Sequence, residues 1–338
     1  MAYTTGTGTT IYDLLEAIDT FITTGLTTAT NWVNKSTVLS GSSRKKECIW
    51  EGKGTGTDKI YIGARVVLDG GVDIATAGRL ELNGFAGFDT ALTFDRQPGG
   101  ITKSALNTTL PTIPMANNSG FTYWIFGNSQ RVIIVVKMST QYESAYLGLF
   151  NPVSSERQYA YPMLIAGSAC GNMSWLSTSV TAGRGSMVLA SSNGQHQKTY
   201  SKSFPATVAD NNRSNARVRR SDGTWRGIDT TGLEPLLGQV YYPFSPLTMF
   251  PYNCNNKKLI ASYNPDSSTT NEDFLLFPVM LCESYPQDVL GLLDSVKFVS
   301  GTRDIAVEQI IIESGDQYIV FDTLAQRGSN SYFAVKLA

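Results

Sequence analysis

From Lys46 onward, apolar residues come in runs of strand length separated by Gly, Asn, Ser and Pro, and this punctuation constrains the fold more than any other feature. It does not supply the alternating strand and helix units of a Rossmann or TIM fold, so both are disfavoured. Glu47–Glu51 and Lys59–Val67 flank the glycine-rich stretch Gly52–Thr57 and read as a β-hairpin. Further strands are expected at Leu80–Asn83, Ala91–Phe94, Thr122–Phe126, Arg131–Met138, Tyr142–Phe150, Met163–Gly167, Ser186–Ser191 and Tyr241–Phe244. The last three fall at Asp304–Glu313, Tyr318–Asp322 and Tyr332–Leu337.

Only two helices stand out. In Thr10–Thr23, Ile11, Leu14, Leu15, Ile18, Phe21 and Ile22 recur at spacings of three and four, with Asp13 and Glu16 near the N-terminal end, where the helix dipole favours them. One face of this amphipathic helix must be covered, by its own body or by a neighbouring subunit. A second, short helix is expected at Gln287–Leu293, after Pro286, with Val289, Leu290, Leu292 and Leu293 on one face. The expected class is α+β, predominantly antiparallel β with a sandwich-like body. An N-terminal arm and helix (1–40) precede a β-rich body with long polar loops (41–285) and a short helix with C-terminal strands (286–338), which can pack into the same body. Loops are expected at Ala182–Asp222 and Asn253–Asp273, where Ser, Asn, Gly and charged residues dominate.

Composition narrows the chemistry. With 42% hydrophobic and 16% charged residues over 338, the chain has apolar surface enough to fold. No apolar run approaches the roughly 20 residues of a spanning helix, so no membrane span is expected. The opening MAYTTGTGTT lacks the basic and apolar regions of a secretory signal. Cys48, Cys170, Cys254 and Cys282 have no zinc-site spacing and fit free thiols in a reducing cytoplasm. His196 is the only histidine, which leaves one imidazole for any triad.

Other motifs fail their context. Gly52–Thr57 is not a phosphate loop, because its Lys precedes the second Gly and a strand follows. Gly167–Gly171 is not G-x-S-x-G and would depend on the distant His196. Asp69–Asp73 lacks the ligand run of a calcium loop and suits a tight turn. Acids beside aromatics, such as Glu143 between Tyr142 and Tyr146, keep paired-carboxylate hydrolysis open.

The sharpest charge feature is Arg213, Arg217, Arg219 and Arg220, followed by Trp225 and Arg226. One short cluster in a chain of net charge −1 gives little nucleic-acid affinity, so a partner protein or solvent is the expected contact. Tyr123, Trp124, Tyr159, Tyr161, Trp175, Tyr241, Tyr242 and Tyr252 could face a sugar, a core or an interface alike.

Three stretches together resemble a family of virion structural proteins from tailed bacteriophages. The first is a Gly/Thr arm, IYDLLEAIDTFITT and a tryptophan segment, Thr30–Val33. The second, from Tyr123 to Ser168, contains YWIFGNSQRVIIVVKMSTQYESAYLGLFNP and QYAYPMLIAGS. The third runs from Leu290 to Leu337. The resemblance implies a tail or baseplate component, made in the host cytoplasm and resident in the virion. Its partners would be copies of itself and other tail proteins. It brings no catalytic residue, cofactor or metal, and no enzymatic activity is expected.

A receptor- or carbohydrate-binding virion module and a tail-associated hydrolase are the alternatives. Candidate interaction residues are Ile11, Leu15, Arg213, Arg217, Arg219, Arg220 and Trp225, and the arm Met1–Thr10 and the 182–222 loop are candidate intersubunit segments.

Overall fold

A computed structural model describes residues 1–27, 31–69, 77–101, 110–154, 161–170, 186–188, 215–227, 247–250, 276–284, 287–300, 305–322 and 331–337. Among them the chain begins with β1 (Ala2–Gly8), α1 (Ile11–Thr20), β2 (Val33–Leu39), β3 (Lys45–Lys53), β4 (Lys59–Leu68), β5 (Ala77–Phe85) and β6 (Pro111–Ala116). It continues through β7 (Phe121–Gly127), β8 (Arg131–Met138), β9 (Gln141–Leu149), β10 (Asn151–Pro152), β11 (Met163–Ala166), β12 (Ala169–Cys170), β13 (Ala216–Arg219) and β14 (Trp225–Gly227). The C-terminal strands are β15 (Leu247–Phe250), β16 (Leu276–Ser284), β17 (Gln287–Ser300), β18 (Ile310–Glu313), β19 (Asp316–Asp322) and β20 (Ser331–Lys336).

Three sheets result, and every pairing in them is antiparallel. Sheet I has the order β12-β6-β5-β4-β3-β2, sheet II β1-β7-β8-β9-β11-β13-β14, and sheet III β15-β16-β17-β20-β19-β18 with β10 on β17. The strong β character expected of the Gly- and Asn-punctuated runs is therefore present. No helix among the described residues is long and apolar enough to cross a membrane.

Period-2 alternation in sheet II divides its side chains between two hydrophobic clusters. On β8, Val132, Ile134 and Val136 join a cluster with α1 and with Trp50, Ile62 and Leu80 of sheet I. Ile133 and Val135 join another with Val296, Phe321 and Phe333 of sheet III. The continuous apolar run VIIVV follows directly, because a strand covered on both faces has no polar side.

The N-terminal helix forms where its spacing places it. Thr10 caps it: its hydroxyl accepts from the Asp13 N–H at 3.2 Å, while the Asp13 carboxylate accepts from the Thr10 N–H at 2.7 Å. These reciprocal bonds satisfy amides that lack an intrahelical partner. A π-helical turn, Phe21–Gly25, ends it, with Thr23 Oγ1 donating to the Asp19 carbonyl at 2.6 Å.

Three expectations are corrected. Gln287–Leu293 is not a helix but the start of the fourteen-residue β17, held between β16 and β20 with β10 alongside. Its Gly291 supplies the reason: a Cβ there would lie 2.3 Å from the Asn151 carbonyl oxygen, so glycine lets β10 close onto the strand. A helix would have carried that glycine internally, at a cost of about 1 kcal/mol. The Gly/Thr arm forms a strand, Ala2–Gly8 being hydrogen-bonded along β7. Ala91–Phe94 is not a strand; the chain turns and enters a 3-10 turn, Phe94–Arg96, with the Gln97 amide donating to the carbonyls of Asp89 and Leu92. Of the expected strand Asp304–Glu313, the described residues 305–309 are not a strand and Ile310–Glu313 is. Strand pairing also crosses the boundaries drawn at 40 and 285, through β1 on β7, β2 on β3 and β16 on β17. Tyr241–Phe244 and most of 182–222 lie outside the described residues.

Candidate assembly surface

The residues expected to contact partners are mostly spent inside the chain. Ile11 and Leu15 are 0% exposed, in the cluster that α1 shares with β3, β4 and β5. Neither presents surface to a second subunit.

Arg217, Arg219 and Trp225 sit on the β13–β14 hairpin at one end of sheet II, while Arg213 lies outside the described residues. Alternation sends Val218 into the cluster shared with sheet III and turns Arg217 and Arg219 to the opposite face. Arg217, opposite Ile165, is only 4% exposed. The Arg219 guanidinium lies 4.9 Å over the Tyr161 ring, a cation–π contact. Trp225, opposite Arg219, packs on the core and donates its Nε1–H to the Gly99 carbonyl at 2.8 Å. Arg220 lies just before the hairpin turn, 3.9 Å from Asp222. Among the described side chains, strand alternation thus separates the charge run into a buried arginine, a stacked arginine and a turn residue.

Two ionic contacts fasten sheet III to sheet II. Arg131 of β8 pairs with Asp294 of β17. Further along, Lys137 and the Tyr142 hydroxyl both donate to Glu308 Oε1 at 2.5 Å. Burial, with the Glu308 carboxylate beside it, pushes the Tyr142 hydroxyl up to about 12. For Glu308, burial raises its pKa, but the bonds from Lys137 and Tyr142 outweigh it and hold the carboxyl below its ordinary value.

At α1 a similar network docks the helix on the β2–β3 hairpin. Arg44 bridges Asp13 and Glu16 at 2.7 Å each. Asp19 accepts from Trp50 Nε1 at 2.6 Å and Asn34 Nδ2 at 2.8 Å and also pairs with Lys45. An open groove of about 810 Å³ beside this helix is lined by Thr7, Thr9, Asp13, Glu16, Thr122 and Lys137, polar groups already engaged in part by these pairs.

Exposed apolar side chains collect at two sheet edges. Val33, Val38 and Leu39 are exposed on β2, the last strand of sheet I. Ile310 and Ile312, 53% and 68% exposed, are on β18, the last strand of sheet III, with exposed Val307 just before it. An edge strand also presents unpaired backbone donors and acceptors. Sequence reasoning missed these residues because an apolar β run reads as core; the signal was the run Ile310–Ile312 lying directly against the turn Ser314-Gly315.

Among the described residues no group of His, Cys, Asp and Glu is placed to hold a metal ion. Glu143, an acid considered for hydrolysis, is fully buried in β9. Of the three uses left open for Trp124, it takes the core, buried edge-on to Phe321 at 5.2 Å. No protein-family model matches the chain, and no curated protein matches it.

Proposed function

We propose that the chain is a structural component of a tailed-phage virion, at the tail or baseplate, that works by self-assembly and by contact with other tail proteins. It is assembled in the host bacterial cytoplasm and resides in the virion. In this reading the body is sandwich-like and non-enzymatic, and its sheets form a rigid block. Supporting it are the three-part sequence resemblance and the sharing of hydrophobic clusters between sheet II and each of the other two sheets. The observation that carries it is the pair of apolar open edges, β2 and β18, on a body whose central strands are largely buried. Exposed apolar edges promote association unless a partner covers them.

Native mass spectrometry of the purified chain, alone and co-expressed with tail proteins, tests this. A defined oligomer or a stable mixed complex is expected. A monomer that ignores the tail proteins would refute the reading and move glycan binding to the front.

A further inference from the structure

Six strands end the three sheets among the described residues, and one of them, β18, has what a strand template needs. Edges are blunted by shortness, bulges, Lys or Pro. β12 and β14 have two and three residues. β2 is broken by two register shifts and carries Lys35. β1, AYTTGTG, is mostly Thr and Gly, and the side chains of β15 lie outside the described residues. β18 runs without a shift against β19 and has neither Lys nor Pro.

Its backbone orientation follows from its two ends. Ser314 and Gly315 have φ of 52° and 87°, as in a type I′ turn, which makes Glu313 and Asp316 a hydrogen-bonded pair. At the other end, the Val320 N–H donates to the Gln309 carbonyl at 3.0 Å. Antiparallel alternation therefore turns the N–H and C=O of Ile311 toward β19 and those of Ile310 and Ile312 toward the open edge.

We propose that two copies of this chain pair through β18, antiparallel about a twofold axis at Ile311, so that their third sheets become one continuous sheet. The inference rests on the self-assembly reading and names its first contact. A twofold axis perpendicular to a sheet keeps every residue on its own face, and opposed residues share a face. An axis between two residues would oppose Ile310 to Ile311, which point to different faces, so the axis must pass through a residue. Through Ile310 it would set Ile312 against Glu308; through Ile312 it would set Ile311 against Glu313. Only the axis at Ile311 opposes Ile310 to Ile312 of the second copy and isoleucine to isoleucine throughout. In that register Gln309 meets Glu313, no like charges face each other, and Ile310 and Ile312 exchange backbone hydrogen bonds with the second copy.

Sedimentation of the full chain tests this, with Ile310→Lys/Ile312→Lys as the perturbation. Both side chains are exposed, so the fold, followed by circular dichroism, is retained. The self-association constant should weaken at least about 100-fold, the scale of losing several buried isoleucines and facing lysines instead. Register is read independently: Ile310→Cys mixed with Ile312→Cys should form a mixed disulfide under oxidation, and neither alone should cross-link.

Wild-type association that the lysines leave unchanged would overturn the β18 contact while the assembly reading stands, as would mixed tail complexes without self-association. Self-cross-linking of either cysteine variant in place of the mixed product would overturn the register. A wild-type monomer that also ignores tail proteins would remove the assembly reading, and this contact with it.

Discussion

Replacing Asp19 tests how the helix is held to the sheet. The residue lies in the last turn of α1, the negative end of the helix dipole, where a carboxylate gains nothing from the backbone. What stabilises it is three side-chain donors: Trp50 Nε1 at 2.6 Å, Asn34 Nδ2 at 2.8 Å and the Lys45 ammonium. Trp50 is itself fully buried, so Asp19→Ala leaves its N–H without an acceptor. Orphaning that donor costs about 1–3 kcal/mol. Lys45, 33% exposed, regains water when unpaired and adds little, so the total should stay at about 2–3 kcal/mol. Asp19→Asn keeps an acceptor oxygen for Trp50 and should recover part of the loss.

Urea unfolding followed by tryptophan fluorescence reads the difference, and pH supplies its sign. Burial raises the Asp19 pKa, but the bonds from Lys45, Trp50 and Asn34 outweigh it and leave the carboxyl below its ordinary 3.8. A depressed folded pKa gives stability that is complete above the unfolded value and lost as pH falls through the folded one. The gap between wild type and Asp19→Ala should therefore narrow in acid, below 3.8. A loss under about 1 kcal/mol at neutral pH, the scale of an exposed pair, or a gap that widens in acid, would refute the reasoning.

Gly148 has φ of +128°, and a Cβ there would meet the Gln130 carbonyl oxygen at 2.2 Å. Gly148→Ala should destabilise by more than about 2 kcal/mol, seen as a lower melting temperature. Glu308 combines an ion pair with φ of +67°, so Glu308→Gly, which loses the pair but relaxes the backbone, should cost about 1 kcal/mol less than Glu308→Ala. Equal melting temperatures for the two variants would contradict that. Burial, then the Asp19 charge, pushes the Cys48 thiol up to about 12. Alkylation at pH 8 mapped by mass spectrometry should leave Cys48 unmodified in the folded chain and label it in urea.

Local chemistry was legible where one residue pattern decides the outcome. The helix at Ile11–Thr20 followed from its spacing and its acidic first turn, and β8 and β19 followed from apolar runs bounded by turn residues. What stayed hidden depended on partners distant in sequence. β1 has no apolar alternation and is a strand because β7 lies beside it. In β17, Val289–Leu293 has helical spacing, yet pairing to β16 and β10 overrides it. The arginines looked like a basic patch because counting charges ignores facing: on a strand, Arg217 and Arg219 turn away from Val218, and the face they occupy is packed. Exposed Ile310 and Ile312 are the converse, apolar residues that composition assigns to a core and topology leaves at an edge.

The distribution of covered surface limits how such a chain can assemble. Both faces of β8 are committed to hydrophobic clusters within the chain, so the centre of sheet II has no face to offer a partner. Association must use edges or outer faces. The Lys137–Glu308 pair holds the residues just before β18 against β8 of sheet II, and the left-handed Glu308 turns the chain into that strand. An edge held in one geometry loses little freedom on binding, which favours affinity without a large interface. Pairing through β18 about a twofold axis is isologous, however, and closes at two copies. A ring would require a second, heterologous contact on a different surface. The exposed Val33, Val38 and Leu39 of β2, at the edge of another sheet, are the described apolar group placed to provide it. Substitutions on β2 should then limit assembly at the dimer, whereas substitutions on β18 should abolish the dimer itself.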